Sequence, residues 1–198
     1  MDVLDLLPRL GVFIKQDFFE ASFRDELRAQ MRETRDRPSP VGSPDGPIAV
    51  DEAQRKSRLV DLPETACGAV SERLLAVQPE VEQHFGDRYT ACRPPQFLLY
   101  GPGHYHKPHV DWYDEEQWER RVSMLTFLNG ESADEEDADS FTGGALVLYG
   151  LFGDRARDRG IPISGRPGML VGFRADTIHE VSPVTRGRRY CTLSWLVP

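Results

Sequence analysis

From residue 96 to residue 198 short apolar runs return again and again, each broken by glycine, proline or charge. They are QFLLY (96–100), HVDWY (109–113), RRVSMLTFLN (120–129), GALVLYG (144–150), GMLVGF (168–173), HEVSPV (179–184) and RRYCTLSWLV (188–197). Each is rich in β-branched and aromatic residues, and the gaps leave no room for a crossover helix between every pair. Closely spaced strands joined by turns predict a sandwich or jelly roll, not a parallel βαβ sheet.

The first half of the chain has a different texture. In DFFEASFRDELRAQMRETR (17–35), Phe19, Phe23, Leu27 and Met31 recur at helical spacing, and Asp17 is placed to cap the helix. TACGAVSERLLAVQPEVEQHFG (65–86) predicts a second helix, bent or ended near Pro79. Between them RPSPVGSPDGPIAVD (37–51), with four prolines and two glycines, is expected as a loop. The expected organisation is one domain over 1–198, with a helical support region at 1–95 and a β-rich core at 96–198.

A net charge of −8 argues against a nucleic-acid binder that relies on a general basic surface. The three cysteines, Cys67, Cys92 and Cys191, are too few and too scattered for a disulfide framework, which favours a reducing compartment. The opening MDVLDLLPRLGVF is acidic where a secretory signal would be basic, and no stretch approaches a membrane span. The expected location is the cytoplasm, with no membrane or nucleic-acid partner.

Chemistry concentrates in YGPGHYHKPHVDWYD (100–114), which holds three of the five histidines. On a strand, His109 and Asp111 would share a face, with Cα atoms about 6.5 Å apart from a rise of about 3.3 Å per residue. An imidazole and a carboxylate so placed suit Fe(II), Mn(II) or Zn(II). A lone His-x-Asp is equally a polar strand end. His179, after GMLVGF and at the start of the next β-type run, would complete two histidines and one carboxylate on one face of an octahedral ion. Ten residues on, Arg189 shares a strand face with Cys191, Leu193 and Trp195, while Arg188, Tyr190, Thr192 and Ser194 share the other. The first set is the more apolar and is expected to face the core. A buried guanidinium there needs an anion, which a dicarboxylate ligand or an internal acid could supply.

The ordered series resembles the Fe(II)- and 2-oxoglutarate-dependent oxygenases, and within them the prolyl-hydroxylase-like group. LLYGPGHYHKPHVD resembles the group's Tyr-x-Pro-Gly segment leading into His-x-Asp. VSMLTFLN, FTGGALVLY and HEVSPVTRGRRYCTLSWL resemble its later strands, so the likeness spans roughly residues 96 to 198. It implies a mainly β fold, a double-stranded β-helix (jelly roll) with N-terminal helices packed on one sheet. It implies His109, Asp111 and His179 as Fe(II) ligands and Arg189 as the holder of the far carboxylate of 2-oxoglutarate, with Arg188 competing for that role. It also implies Tyr100, Ser123 and Leu125 as cosubstrate contacts, and a missing hydroxyl at Phe127. The implied reaction uses O2, with ascorbate as a candidate reductant, and releases succinate and CO2. It hydroxylates an unactivated C–H of an amino-acid-like group in a protein, a peptide or a small molecule.

Other features stay outside that scheme. His104 and His106 could flank a substrate mouth or be exposed polar residues, and Tyr105, Trp112, Tyr113 and Trp118 could wall the substrate or pack on helices. The acidic run GESADEEDADS (130–140) is expected as a solvated loop, and it favours a neutral or cationic substrate. The rival readings are a cupin-type metal site built on His104 and His106, which lacks the expected nearby glutamate, and a non-catalytic β-barrel that binds a ligand or partner.

Overall fold

Alternation along the strands sorts the side chains onto two faces and so builds two antiparallel sheets. The computed structural model describes residues 3–43, 46–111, 120–132 and 139–198. In the larger sheet the strand order is Phe13–Lys15, Leu170–Arg174, Val122–Phe127, Arg189–Val197, Gln96–Tyr100, Arg58–Val60 and Asp36–Pro38, with Ala91–Cys92 also paired to Arg189–Val197. The smaller sheet runs Ile161–Ile163, Leu146–Leu148, His179–Val181, Tyr105–His109 and Arg55–Lys56. From Gln96 onward the chain passes repeatedly from one sheet to the other, which is the winding of a jelly roll.

Leu98, Tyr100, Leu125, Phe127, Val171, Phe173 and Cys191 of the larger sheet meet Leu146, Leu148, Ile161, Ile163 and Val181 of the smaller. Their strand neighbours Phe97, Leu99, Val122, Met124, Tyr190 and Leu196 point the other way and are covered by helices. The helix Ala21–Glu33 contributes Phe23, Leu27 and Met31, and the helix Glu64–Phe85 contributes Val70, Leu74, Val77 and Val81. The side of Arg189–Val197 that looked less apolar is therefore buried too, because the helices lie over it.

Three expectations are corrected. Asp17 does not cap the first helix: it adopts a φ of 51°, and the N-cap position falls on Glu20. Pro79 neither ends nor divides the second helix, which runs unbroken through it. Burial of Val77 and Val81 on either side offsets the lost backbone bond. The proline-rich 37–51 stretch carries the antiparallel pair Val41–Ser43 and Gly46–Ala49, so it is not wholly loop. The acidic residues 133–138 and the aromatic residues Trp112, Tyr113 and Trp118 lie outside the described residues. Among the described residues no helix is long and apolar enough to cross a membrane.

The turn before the closing strand depends on Gly187. Its φ is 72°, and a Cβ there would lie 2.2 Å from the carbonyl oxygen of Ser140 and 3.1 Å from Phe141 Cα. Both the left-handed backbone and the contact forbid a side chain. Gly187→Ala is expected to destabilise the protein by about 3 kcal/mol, combining overpacking with backbone strain. Urea denaturation should show the midpoint fall at unchanged slope.

Candidate metal centre

Tyr105–His109 lies in the smaller sheet beside His179–Val181, in a register that sets His179 directly opposite His109. The strand ends at His109, whereas a strand starting there was expected over 109–113. Asp111 follows just past the strand end, and its amide donates to the Ala175 carbonyl at 2.8 Å. That turn, not a shared strand face, brings the carboxylate beside the two imidazoles. The potential ligand atoms of His109, Asp111 and His179 all lie within 4.8 Å of one another. Among the described residues this is the one group of three or more such side chains, so the cupin-type alternative on His104 and His106 finds no support.

Hydrogen bonds orient each member. His109 Nδ1 donates to the Lys107 carbonyl at 2.8 Å and His179 Nδ1 donates to the Thr177 carbonyl at 2.9 Å, since a carbonyl only accepts. Each ring therefore carries its free lone pair on Nε2, and each Nε2 lies 3.7 Å from an Asp111 oxygen. Burial, seconded by His179, pushes His109 down to about 4, so its ring is neutral at physiological pH. Asp111 Oδ2 accepts from the Ser123 hydroxyl at 2.7 Å and from Trp195 Nε1 at 2.9 Å. Burial opposes ionisation of that carboxylate, but the imidazoles of His179 and His109 and these two donors outweigh it, holding it below the usual carboxylate range.

Imidazoles with paired Nδ1 protons, facing a doubly anchored carboxylate, form a donor set suited to a borderline divalent cation such as Fe(II). Ser123, expected beside a cosubstrate, commits its hydroxyl to Asp111. The indole of Trp195, for which the sequence indicates only an inward face, is a second anchor of that carboxylate. The His106 ring, outside the ligand scheme, stacks on His109 with centroids 3.5 Å apart. His104 makes no such contact, and its Nδ1 is buried without a partner.

Removing one anchor tests the arrangement. Trp195→Phe keeps the bulk and deletes the indole donor, and it is expected to lower metal affinity about 10–100-fold, as outer partners of metal ligands do. Isothermal titration with Mn(II) reads the change.

Arg189 lies deeper between the sheets and is fully buried, while Arg188 is exposed. The guanidinium packs 5.1 Å from the Tyr100 ring centroid and 4.8 Å from that of Phe127. Nη1 donates to Cys191 Sγ at 3.1 Å, and Nε and Nη2 have no partner. Leu125 is in the same inter-sheet cluster as Tyr100 and Phe127. A buried cation with unused donors and, among the described residues, no carboxylate partner is suited to an anionic ligand.

Comparison with known proteins agrees with this geometry. The family model described as the 2OG-Fe(II) oxygenase superfamily matches residues 95–197, just over half of the chain. A PKHD-type hydroxylase of Rhizorhabdus wittichii is 32% identical over 109 residues, covering 52% of this chain and 42% of that protein. One of Klebsiella pneumoniae is 33% identical over 107 residues, with the same coverage of each. The chain thus spans less than half the length of these curated relatives. Among solved structures, a Pseudomonas putida prolyl-4-hydroxylase superposes with a TM-score of 0.69 at 22% identity, covering 98% of this chain and 96% of that one. A Trichoplax adhaerens prolyl hydroxylase, solved with a peptide fragment of the hypoxia inducible factor oxygen degradation domain, gives 0.65 at 19% identity, covering 98% and 87%. These likenesses establish the jelly-roll fold.

Proposed function

The chain belongs to the 2OG-Fe(II) oxygenase superfamily, and on that premise we propose that it hydroxylates an unactivated C–H of an amino-acid-like group, turning 2-oxoglutarate and O2 into succinate and CO2. The observation that carries the reading is the fully buried Arg189 guanidinium, with unpartnered Nε and Nη2, between the same two sheets as the His109–Asp111–His179 group. A site built only to hold a metal has no use for that cation.

His109, Asp111 and His179 hold Fe(II), which when bound supplies the activation of O2 coupled to decarboxylation of the keto acid. Arg189 grips the far carboxylate through Nε and Nη2, and so sets the angle at which the keto acid enters the site. Cys191 keeps Nη1 turned away from that contact. Tyr100, Leu125 and Phe127 exclude water from the pocket; Phe127, in place of a tyrosine, leaves the guanidinium as the main polar anchor. Ser123 and Trp195 fix the Asp111 carboxylate, leaving its other oxygen for the ion. Residues 96–198 carry this site, and residues 1–95 support it within one domain.

Substrates named for the similar proteins support a prolyl or other residue in a peptide or protein, and a small amino-acid-like metabolite is compatible with the same chemistry. The unpaired Cys67, Cys92 and Cys191 support a reducing, cytoplasmic location. Purified protein with Fe(II), ascorbate and 2-oxoglutarate, offered amino acids, peptides and cell-extract proteins, should release succinate in step with a mass gain of one oxygen atom on one substrate. Failure to bind 2-oxoglutarate in the presence of metal would overturn the reading.

A further inference from the structure

The buried charged groups of the described residues can be matched one by one. Glu82 pairs with Arg88 at 2.8 Å. Asp111 and His179 belong to the triad, and Arg189 is matched by the cosubstrate under the reading above. Arg55 is left over. It is 8% exposed, its Nε donates to the Ser57 hydroxyl at 2.8 Å, and its Nη1 donates to the Pro40 carbonyl at 3.3 Å. Both partners are neutral, and among the described residues no carboxylate lies within ion-pair reach. A guanidinium withdrawn from water without a counter-charge is costly, and proteins keep one where a ligand supplies the anion.

Its position says which ligand. Arg55 lies on the last strand of the smaller sheet, at the sheet's open edge, directly opposite His106 across the pair Arg55–Lys56 and Tyr105–His109. Residues opposite one another in an antiparallel pair share a face. The His106 ring in turn stacks on the metal-site ring of His109. Arg55 thus stands across the strand pair from His106, whose ring touches the triad at His109. Both carboxylates of 2-oxoglutarate are already used in the reading above, one at the metal and one at Arg189.

We propose that Arg55, held by Ser57 and Pro40 at the sheet edge beside His106, binds a carboxylate of the substrate. The group recognised is an acidic side chain, a chain-terminal carboxylate or the carboxylate of a free amino acid; the shared chemistry is a planar anion taken by a guanidinium fork. This inference rests on the oxygenase reading above. It also reverses the sign expected from the acidic 130–140 run: with a net charge of −8 the chain attracts anions only locally, and Arg55 is such a place.

The test uses the full chain loaded with Zn(II) and saturated with 2-oxoglutarate, so that Arg189 is occupied. Acetate and its uncharged counterpart acetamide are titrated while the arginine Nε–H resonances are followed by NMR. The Arg55 signal is assigned from its loss in Arg55→Lys. Acetate is expected to move the Arg55 resonance saturably, at least 10-fold more effectively than acetamide, and to leave Arg189 unmoved. In parallel, calorimetry on Arg55→Gln and Arg55→Lys should give 2-oxoglutarate affinities within 2-fold of the parent chain. An Arg55 resonance indifferent to acetate, or equally sensitive to acetamide, overturns the proposal. So does a 10-fold loss of 2-oxoglutarate affinity in the folded Arg55→Lys protein, which would assign the cation to the cosubstrate. Failure of the oxygenase reading itself is separately visible, as absence of 2-oxoglutarate binding in the parent chain.

Discussion

His109→Ala is expected to keep its fold and lose metal binding by more than about 100-fold, the upper end of what deleting a mere outer partner costs. The asymmetry follows from where the ring sits. His109 ends its strand with its side chain 23% exposed, against 6% for His179 and 8% for Asp111. Truncating it opens a small, partly wet space beside His106, not a core cavity. Asp111 retains both its Ser123 and Trp195 hydrogen bonds, so no buried carboxylate is left unpaired. His179 keeps its bond to the Thr177 carbonyl. What disappears is one of three donors, and two cannot define a face of an octahedron. Mn(II) titration followed by electron paramagnetic resonance measures the loss, and far-ultraviolet circular dichroism and the melting temperature check the fold. Substrate-dependent succinate release should fall to background. Undiminished Mn(II) affinity would remove His109 from the site.

Arg189→Met should separate binding from stability. In the parent protein the guanidinium is fully buried with Nε and Nη2 unpartnered. A methionine of similar length fits between the rings of Tyr100 and Phe127 and favours contact with aromatic edges. Replacing an unneutralised buried charge by an apolar side chain is neutral or stabilising by about 1–4 kcal/mol, so the ligand-free variant should melt no lower than the parent. Its affinity for 2-oxoglutarate should nevertheless fall about 100-fold or more, from loss of about 3–5 kcal/mol in a charge-assisted contact. Calorimetry with Mn(II) present reads the affinity, and ligand-free melts read the stability. Arg188→Met is the matched control: that side chain is exposed and should change neither quantity appreciably. If Arg188→Met instead weakened 2-oxoglutarate binding, the roles of the two arginines would be exchanged.

Much of the scaffold could be read from the chain because strand alternation is a local property. Gln96–Tyr100 and Val122–Phe127 appear where the β-type runs predicted them. The period of two also sorted Arg189 from Arg188 correctly, since adjacent residues on a strand must point to opposite sides. Helical spacing likewise found Phe23, Leu27 and Met31, whose burial on the larger sheet is the finding that justifies the pattern. Where local rules went astray, packing had overridden them. Pro79 is a helix breaker by its own chemistry, yet Val77 and Val81 are held by the sheet on both sides of it. The short strands Arg55–Lys56 and Arg58–Val60 lack enough residues to show any period, and they form because longer neighbours offer them paired edges.

The site divides along the same line. The types and order of its donors, His109, Asp111, His179 and then Arg189, are covalent facts of the chain, and they sufficed to indicate a metal and an anion. Their support is non-local. Trp195 reaches Asp111 from 84 residues away and Ser123 from 12, His106 stacks on His109 because a strand ends where it does, and Arg55 faces His106 because two strands align in one register. Side-chain chemistry travels with the residue, whereas a partner across a sheet is chosen by pairing register and by burial. These belong to the assembled molecule, and no window of sequence contains them.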